Sequence, residues 1–102
     1  MIIDTLRPIL PLAGWTEERI RSVEVAGPLD PILPTPFRVT ETGTAALAAV
    51  GLAASDLWEL RTGRRQKIAV NTRHATASLR SGRYLKMGEK EVDFGRNPVV
   101  GI

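Results

Sequence analysis

The strongest periodic pattern of the chain lies in residues 44–61, TAALAAVGLAASDLWELR. Alanine and leucine have the highest helix propensities, so this stretch is predicted to be a helix. Its larger apolar residues recur at helical spacing and share one face: Leu47, Val50, Ala54, Leu57 and Trp58. The first half, residues 45–54, carries no charge on any side, which is typical of a helix buried all round. We therefore expect the face of Leu47 and Trp58 to be buried, in part by another chain or domain.

Shorter elements are predicted after this helix. Gly63 suits a left-handed C-terminal cap, and residues 67–70 have the composition of a short strand. Asn71 or Thr72 can cap a second helix over residues 73–81, and residues 91–94 alternate like an edge strand. The order helix, strand, helix predicts an α/β fold, but the predicted strands are too few to build a closed sheet.

The N-terminal part has a different composition, with most of the prolines of the chain. Thr16 followed by two glutamates predicts the start of a short helix that runs to about Val23. Residues 27–37, GPLDPILPTPF, are predicted to be extended and to lie against a surface, because proline is excluded from helix interiors and central strands. The chain is therefore divided into a proline-rich segment with a short helix, 1–37, and a helix-strand-helix segment, 38–102.

Composition excludes several classes of protein. The chain has no cysteine, which rules out disulfides and a cysteine zinc site, and its single histidine makes a metal site an unfavoured prediction. The longest uncharged run, Thr42 to Ser55, is shorter than the roughly 20 residues that cross a bilayer. The first residues lack the pattern of a secretory signal. No membrane association is predicted, and cytoplasmic residence is the default expectation.

Charge is distributed unevenly along the chain. Residues 61–86 carry only basic charged side chains, whereas acidic residues predominate before residue 61. A uniformly basic stretch indicates an anionic partner, either a phosphate-bearing cofactor or a nucleic acid. A solvated surface paired with acids elsewhere explains the same pattern.

Common catalytic motifs are absent from the sequence. It contains no phosphate-binding Walker loop, no GxGxxG, no HExxH and no GxSxG. His74 is the one histidine, and an isolated histidine at the start of a helix favours a structural role over a catalytic one.

The stretch GTAALAAVGLAASDLWELRTGRRQKIAVNTRHATASL carries a resemblance to a known family. It resembles the region of family III CoA-transferases that consists of an Ala/Leu-rich helix, a TGxGQ turn, a short β-branched strand and a helix. The resemblance covers about residues 38–87, with the turn at Thr62 to Gln66. Arg65 stands where the family commonly has glycine.

The resemblance implies a fold, a chemistry and a partner. The fold would be α/β, a partial Rossmann-like segment of the large domain, in a protein whose two chains interlock. Members transfer CoA between carboxylic acids through a carboxylate nucleophile. Acyl-CoA and a carboxylic acid would therefore be substrates, with no permanently bound cofactor. The position of the nucleophile falls on Glu41, where the family has aspartate. An acid at a helix N-terminus is also favoured by the helix dipole alone.

The basic residues around the turn have three interpretations. CoA carries phosphates that arginine binds bidentately, and charge alone makes the following residues candidates for binding it: Arg61, Arg64, Arg65 and Lys67. The same cations suit the C-terminal end of a helix. Nucleic-acid binding predicts interleaved aromatics or a recognition helix, whereas this region has only Trp58 and Tyr84 and no helix-turn-helix spacing.

Three hypotheses follow from the sequence. The first is a CoA-transferase-like chain that is inactive until a homo-oligomer or the remainder of the fold completes it. The second is a non-catalytic structural or interaction remnant of that family. The third, the least favoured, is a small basic nucleic-acid-binding protein.

Overall fold

The computed structural model describes residues 2–28, 32–84, 86–88 and 90–91. Its elements are α1 (Ile2–Leu6), α2 (Leu10–Ala13), β1 (Val23–Ala26), α3 (Val39–Thr62), β2 (Ile68–Asn71), α4 (Thr72–Ser78), β3 (Lys86–Met87) and β4 (Lys90–Glu91), with 3₁₀ turns at Arg7–Ile9, Glu17–Ser22 and Ser81–Arg83.

The centre of the fold is a β-α-β unit. β1 and β2 pair in parallel, with Val23 opposite Ile68 and Ala26 opposite Asn71. Parallel neighbours need a long crossover connection, and here α3 supplies it. The protein is thus a mixed α/β structure with a two-stranded parallel sheet, and a separate antiparallel pair is formed by β3 and β4.

The predicted elements of the second half are present with shifted bounds. α3 begins five residues before the predicted helix and ends at Gly63, which has φ 73 and ψ 8 and is left-handed as predicted. β2 lies one residue later than predicted, and Asn71 caps α4 by accepting hydrogen bonds from the N–H groups of Arg73 and His74. α4 ends at Ser78 rather than Ser81, because a 3₁₀ turn follows it. Of the strand predicted at 91–94, only residue 91 lies within the described part.

The N-terminal part contains more structure than its prolines suggest. α1 and α2 were not predicted, yet Pro8 and Pro11 both stand in the first turn of a helical element, where proline is tolerated because no intrahelical N–H bond is lost. The helix predicted from Thr16 is a 3₁₀ turn, and β1 follows it directly. The described residues of 27–37 form neither helix nor strand.

The hydrophobic core lies between α1, α3 and the parallel sheet. Its buried members come from two helices: Ile2, Leu6, Ala45, Ala48 and Leu52. Val23, Val25, Ile68 and Val70 of the sheet pack against them from the other side. The proline-rich segment and the helix-strand-helix segment therefore share one core.

Within this chain, the face of α3 that packs in the core is not the face of Leu47 and Trp58. The face that packs in the core carries small residues, including Ala45, Ala48 and Ser55. Val50 is 63% exposed and Trp58 44% exposed, and Leu47, Ala54 and Leu57 are exposed as well. Small side chains let α1 and the sheet approach the helix backbone closely, so the larger side chains turn outward. Burial of this outer face by another chain stays a prediction.

Two glycines of α3 show how close these approaches are. A Cβ at Gly51 would lie 2.7 Å from Cγ2 of Ile68, and a Cβ at Gly43 would lie 2.9 Å from Cδ1 of Leu79. Ile68 is β-branched and stiff at χ1, whereas Leu79 is half exposed and its methyl can swing away.

Replacing these two glycines by alanine is therefore expected to change the free energy of unfolding differently at the two positions. Both changes gain helix propensity of about 1 kcal/mol. Gly51→Ala also overpacks the helix against β2, which costs about 1–3 kcal/mol, so we expect a net loss of about 1 kcal/mol. Gly43→Ala should be neutral or stabilising. Urea denaturation of both variants measures the difference, and equal stabilities would contradict the close packing of α3 on β2.

Candidate functional site

Glu41 lies in the first turn of α3. Its carboxylate is about three-quarters buried, and its Oε2 is 3.9 Å from Nη1 of the exposed Arg38. The helix N-terminus favours the negative charge of this side chain. Glu41 is thus a charged, partly buried carboxylate that is already engaged within the chain.

An open apolar groove of about 500 Å³ lies beside the same end of α3. Its walls are formed by Phe37, Arg38, Val39, Thr42, Gly43, Ala46 and Leu79. Glu41 is not among the described residues that line it, although Thr42 and Gly43 are. The carboxylate and the groove therefore lie on different sides of the first turns of α3.

The basic candidates lie at the opposite end of α3. Arg61 belongs to its last turn, and Arg64, Arg65 and Lys67 lie in the exposed turn that leads to β2. Arg65 Nε donates to both carboxylate oxygens of Glu59 at 3.1 Å, so one of the four cations is engaged in an ion pair. In the described part of the chain, the other three have no ion pair.

The structure does not bring Glu41 together with these cations. Twenty residues of continuous helix separate Glu41 from Arg61, which corresponds to about 30 Å along the helix axis. The two sets of candidates therefore stand at opposite ends of one rigid element and do not form one compact site within a single copy.

A polar cluster that the sequence did not reveal joins the N-terminal part to α3. Arg19 is buried, and its Nη2 donates to Oδ1 of Asp56 and, at 3.5 Å, to the carbonyl of Leu52. Trp15 Nε1 donates to the other carboxylate oxygen of Asp56 at 2.6 Å. These partners are about 40 residues apart along the chain, and no local pattern signals such a pairing.

Four buried threonines lie between α3 and α4: Thr40, Thr44, Thr72 and Thr76. Thr72 Oγ1 donates to the carbonyl of Pro28 at 2.7 Å, and Thr76 Oγ1 donates to the carbonyl of Thr72 at 2.8 Å. Gly27 has φ +102 and its hypothetical Cβ would lie 2.4 Å from Thr72 Oγ1. These contacts close the carboxyl ends of β1 and β2, the edge where ligands bind in many open α/β sheets.

The described residues contain no group of three histidine, aspartate or glutamate side chains placed to hold a metal ion. His74 is exposed in the first turn of α4. Within the same residues, no helix combines the length and the apolar character needed to cross a membrane.

Comparison with known proteins gave no relative, since no protein family, no curated protein and no solved structure matches the chain.

Proposed function

We propose that this chain is a segment of a family III CoA-transferase-like enzyme and that it acts only when a second copy or the rest of the fold completes it. The observation that supports the proposal is the order of elements around the Thr62 to Gln66 turn. A long Ala-rich helix ends at the left-handed Gly63, leads into β2 and then into α4. This is the order that the sequence resemblance implies within a Rossmann-like sheet. The proposed location is the cytoplasm.

The proposed chemistry is covalent catalysis by a carboxylate. Glu41 would attack the thioester carbon of acyl-CoA, and the CoA thiolate would leave, giving a mixed anhydride. The thiolate would then attack the glutamyl carbonyl, which releases the first acid as its carboxylate and leaves CoA on Glu41 as a thioester. A second carboxylate would reverse these steps and depart as the new acyl-CoA.

The distance between Glu41 and the basic turn explains why the proposal requires a second copy or the rest of the fold. Glu41 and the basic turn of residues 61–67 lie about 30 Å apart along α3. The basic turn would therefore contact the phosphates of CoA in the site of another copy, or the remainder of the fold would supply those contacts.

Trapping of the covalent intermediate tests this function. The natural product, purified from its own cells with the chains that accompany it, would be incubated with an acyl-CoA and then with hydroxylamine or borohydride. We expect Glu41 to be labelled and Glu41→Gln to abolish labelling, because the amide keeps the shape of the side chain but is not a nucleophile. The isolated 102-residue chain should give no label.

Each outcome of this experiment is informative. Labelling that persists in Glu41→Gln would exclude Glu41 as the nucleophile. A labelled isolated chain would show that no completion is needed. Arg38→Gln, which alters the ion-pair partner of Glu41, is the matched control and should still be labelled.

The second candidate function is a non-catalytic interaction module. It is favoured by the exposed apolar face of α3 and by the engagement of Glu41 with Arg38. In that case the purified assembly would contain the chain in stable association, and no acyl-CoA would label it.

A further inference from the structure

The outer edge of β2 has no strand partner among the described residues. β2 pairs with β1 on one side, and among the described residues no strand pairs with its other side. Such an edge presents unpaired N–H and C=O groups. Proteins usually protect an edge of this kind with charge, proline or a covering element, but Ile68, Ala69 and Val70 are all apolar.

A slot of about 340 Å³ runs along this edge. It is bounded by Leu47 and Gly51 of α3, by all four residues of β2, and by His74 and Ala75 of α4. At Gly51 the space that a side chain would take is already occupied by Cγ2 of Ile68, so the floor of the slot is closely packed. Leu47, which belongs to the outer apolar face of α3, lines the slot, so the slot adjoins that face. Its largely apolar lining along one strand suits an extended segment with apolar side chains.

The charged residues that flank β2 along the chain are basic. Lys67 directly precedes β2, and Arg73 stands in the first turn of α4 just after it. Neither has an ion pair in the described part of the chain, and no acidic residue is among those that line the slot. An occupant with acidic residues at both ends would complement these cations.

A second copy of this chain fits the edge less well than an acidic segment. If two β2 strands paired antiparallel, Lys67 of each copy would lie near Arg73 of the other. If they paired in parallel, Lys67 would lie near Lys67. Like charges placed together oppose association in both arrangements.

We propose that the open edge of β2 binds an extended segment of another polypeptide, apolar in its middle and acidic at both ends, by adding it as a third strand of the parallel sheet. Main-chain hydrogen bonds would supply affinity, and Lys67 and Arg73 would select the charge of the flanks. This inference does not depend on the proposed CoA-transferase function.

A synthetic peptide tests the proposal on the whole chain. The probe has alternating valine and threonine flanked by two glutamates at each end, and its control has lysines in place of the glutamates. We expect the glutamate peptide to bind at least about tenfold more tightly and to slow hydrogen exchange of amides in Ile68–Asn71. Equal binding of both peptides, or protection that misses β2, would overturn the proposal.

Variants with reversed charges distinguish binding at β2 from general attraction of acidic peptides to a basic chain. Lys67→Glu with Arg73→Glu should exchange the preference, so that the lysine peptide binds more tightly. Arg61→Glu with Arg80→Glu makes the same change in net charge at exposed positions farther from β2 along the chain, and it should keep the preference for glutamate. An unchanged preference in the first variant, or a lost one in the second, would contradict the model of selection by these two cations.

Self-association is a separate outcome of the same measurements. Sedimentation would measure whether the chain forms a dimer without peptide, and hydrogen exchange would measure whether the β2 amides are protected in it. We expect no dimer in which these amides are protected. A dimer with protected Ile68–Asn71 would overturn the proposal in favour of a second copy as the occupant.

Discussion

Leu52→Ala should lower the free energy of unfolding by about 3 kcal/mol, within the range measured for truncation of buried leucines. Leu52 is fully buried at the centre of α3, where α1 and the sheet meet. Truncation removes apolar contacts and leaves a cavity, and a small core cannot collapse fully to refill it. Since small domains have only about 5–15 kcal/mol of total stability, the loss should be large enough to populate unfolded molecules at moderate temperature.

Leu60→Ala is the matched control for this prediction. It makes the same change on the same helix, but Leu60 is 85% exposed, so we expect an effect within about 0.5 kcal/mol. Urea denaturation followed by circular dichroism measures both variants. Similar losses at Leu52 and Leu60 would contradict the assignment of the buried face of α3.

Asp56→Ala should lower the free energy of unfolding by about 2–3 kcal/mol. The change leaves the guanidinium of the buried Arg19 without its carboxylate and the indole N–H of Trp15 without its acceptor. Breaking one partner of a buried pair costs about 3–5 kcal/mol, and we expect less here because the Asp56 side chain is 40% exposed to water.

A double-mutant cycle isolates this interaction from the loss of packing. Arg19→Met removes the buried charge, so Asp56→Ala should cost much less in the Arg19→Met background. We expect a coupling energy of about 1.5 kcal/mol or more between the two sites. Strictly additive losses would show that Arg19 and Asp56 do not stabilise each other.

Local signals in the sequence predicted the elements that depend on local physics. The alanine and leucine content of residues 44–61 favours a helix in any environment. Gly63 adopts the left-handed conformation that ends α3, and Asn71 accepts the N–H groups that open α4. Each signal involves residues within one or two turns of each other, so no knowledge of the rest of the fold is needed to interpret it.

In the N-terminal part, local signals in the sequence conflict or are ambiguous. The alternation Val23, Glu24, Val25 before Gly27 is typical of a strand, but the helix predicted from Thr16 extended to its first residue. No helix was predicted for residues 1–13, yet Pro8 and Pro11 stand in the first turns of helical elements, where proline is tolerated.

The buried face of α3 and the elements that pack against it depended on the tertiary structure. The apolar residues of α3 occupy more than one face, and side-chain size alone favoured the face of Leu47 and Val50. The structure buries the alanine face instead, because Ile2, Leu6 and the sheet can approach a helix surface only where its side chains are small.

The sequence by itself therefore determined that a long helix leads through a glycine turn into a strand and a capped second helix. Only the tertiary structure decided that β1 pairs with that strand and that Arg19 reaches Asp56. Secondary structure follows from interactions between near neighbours, whereas strand pairing and buried ion pairs join residues some 40 positions apart. Their partners are selected by how the whole chain packs, because many other pairings are locally just as favourable.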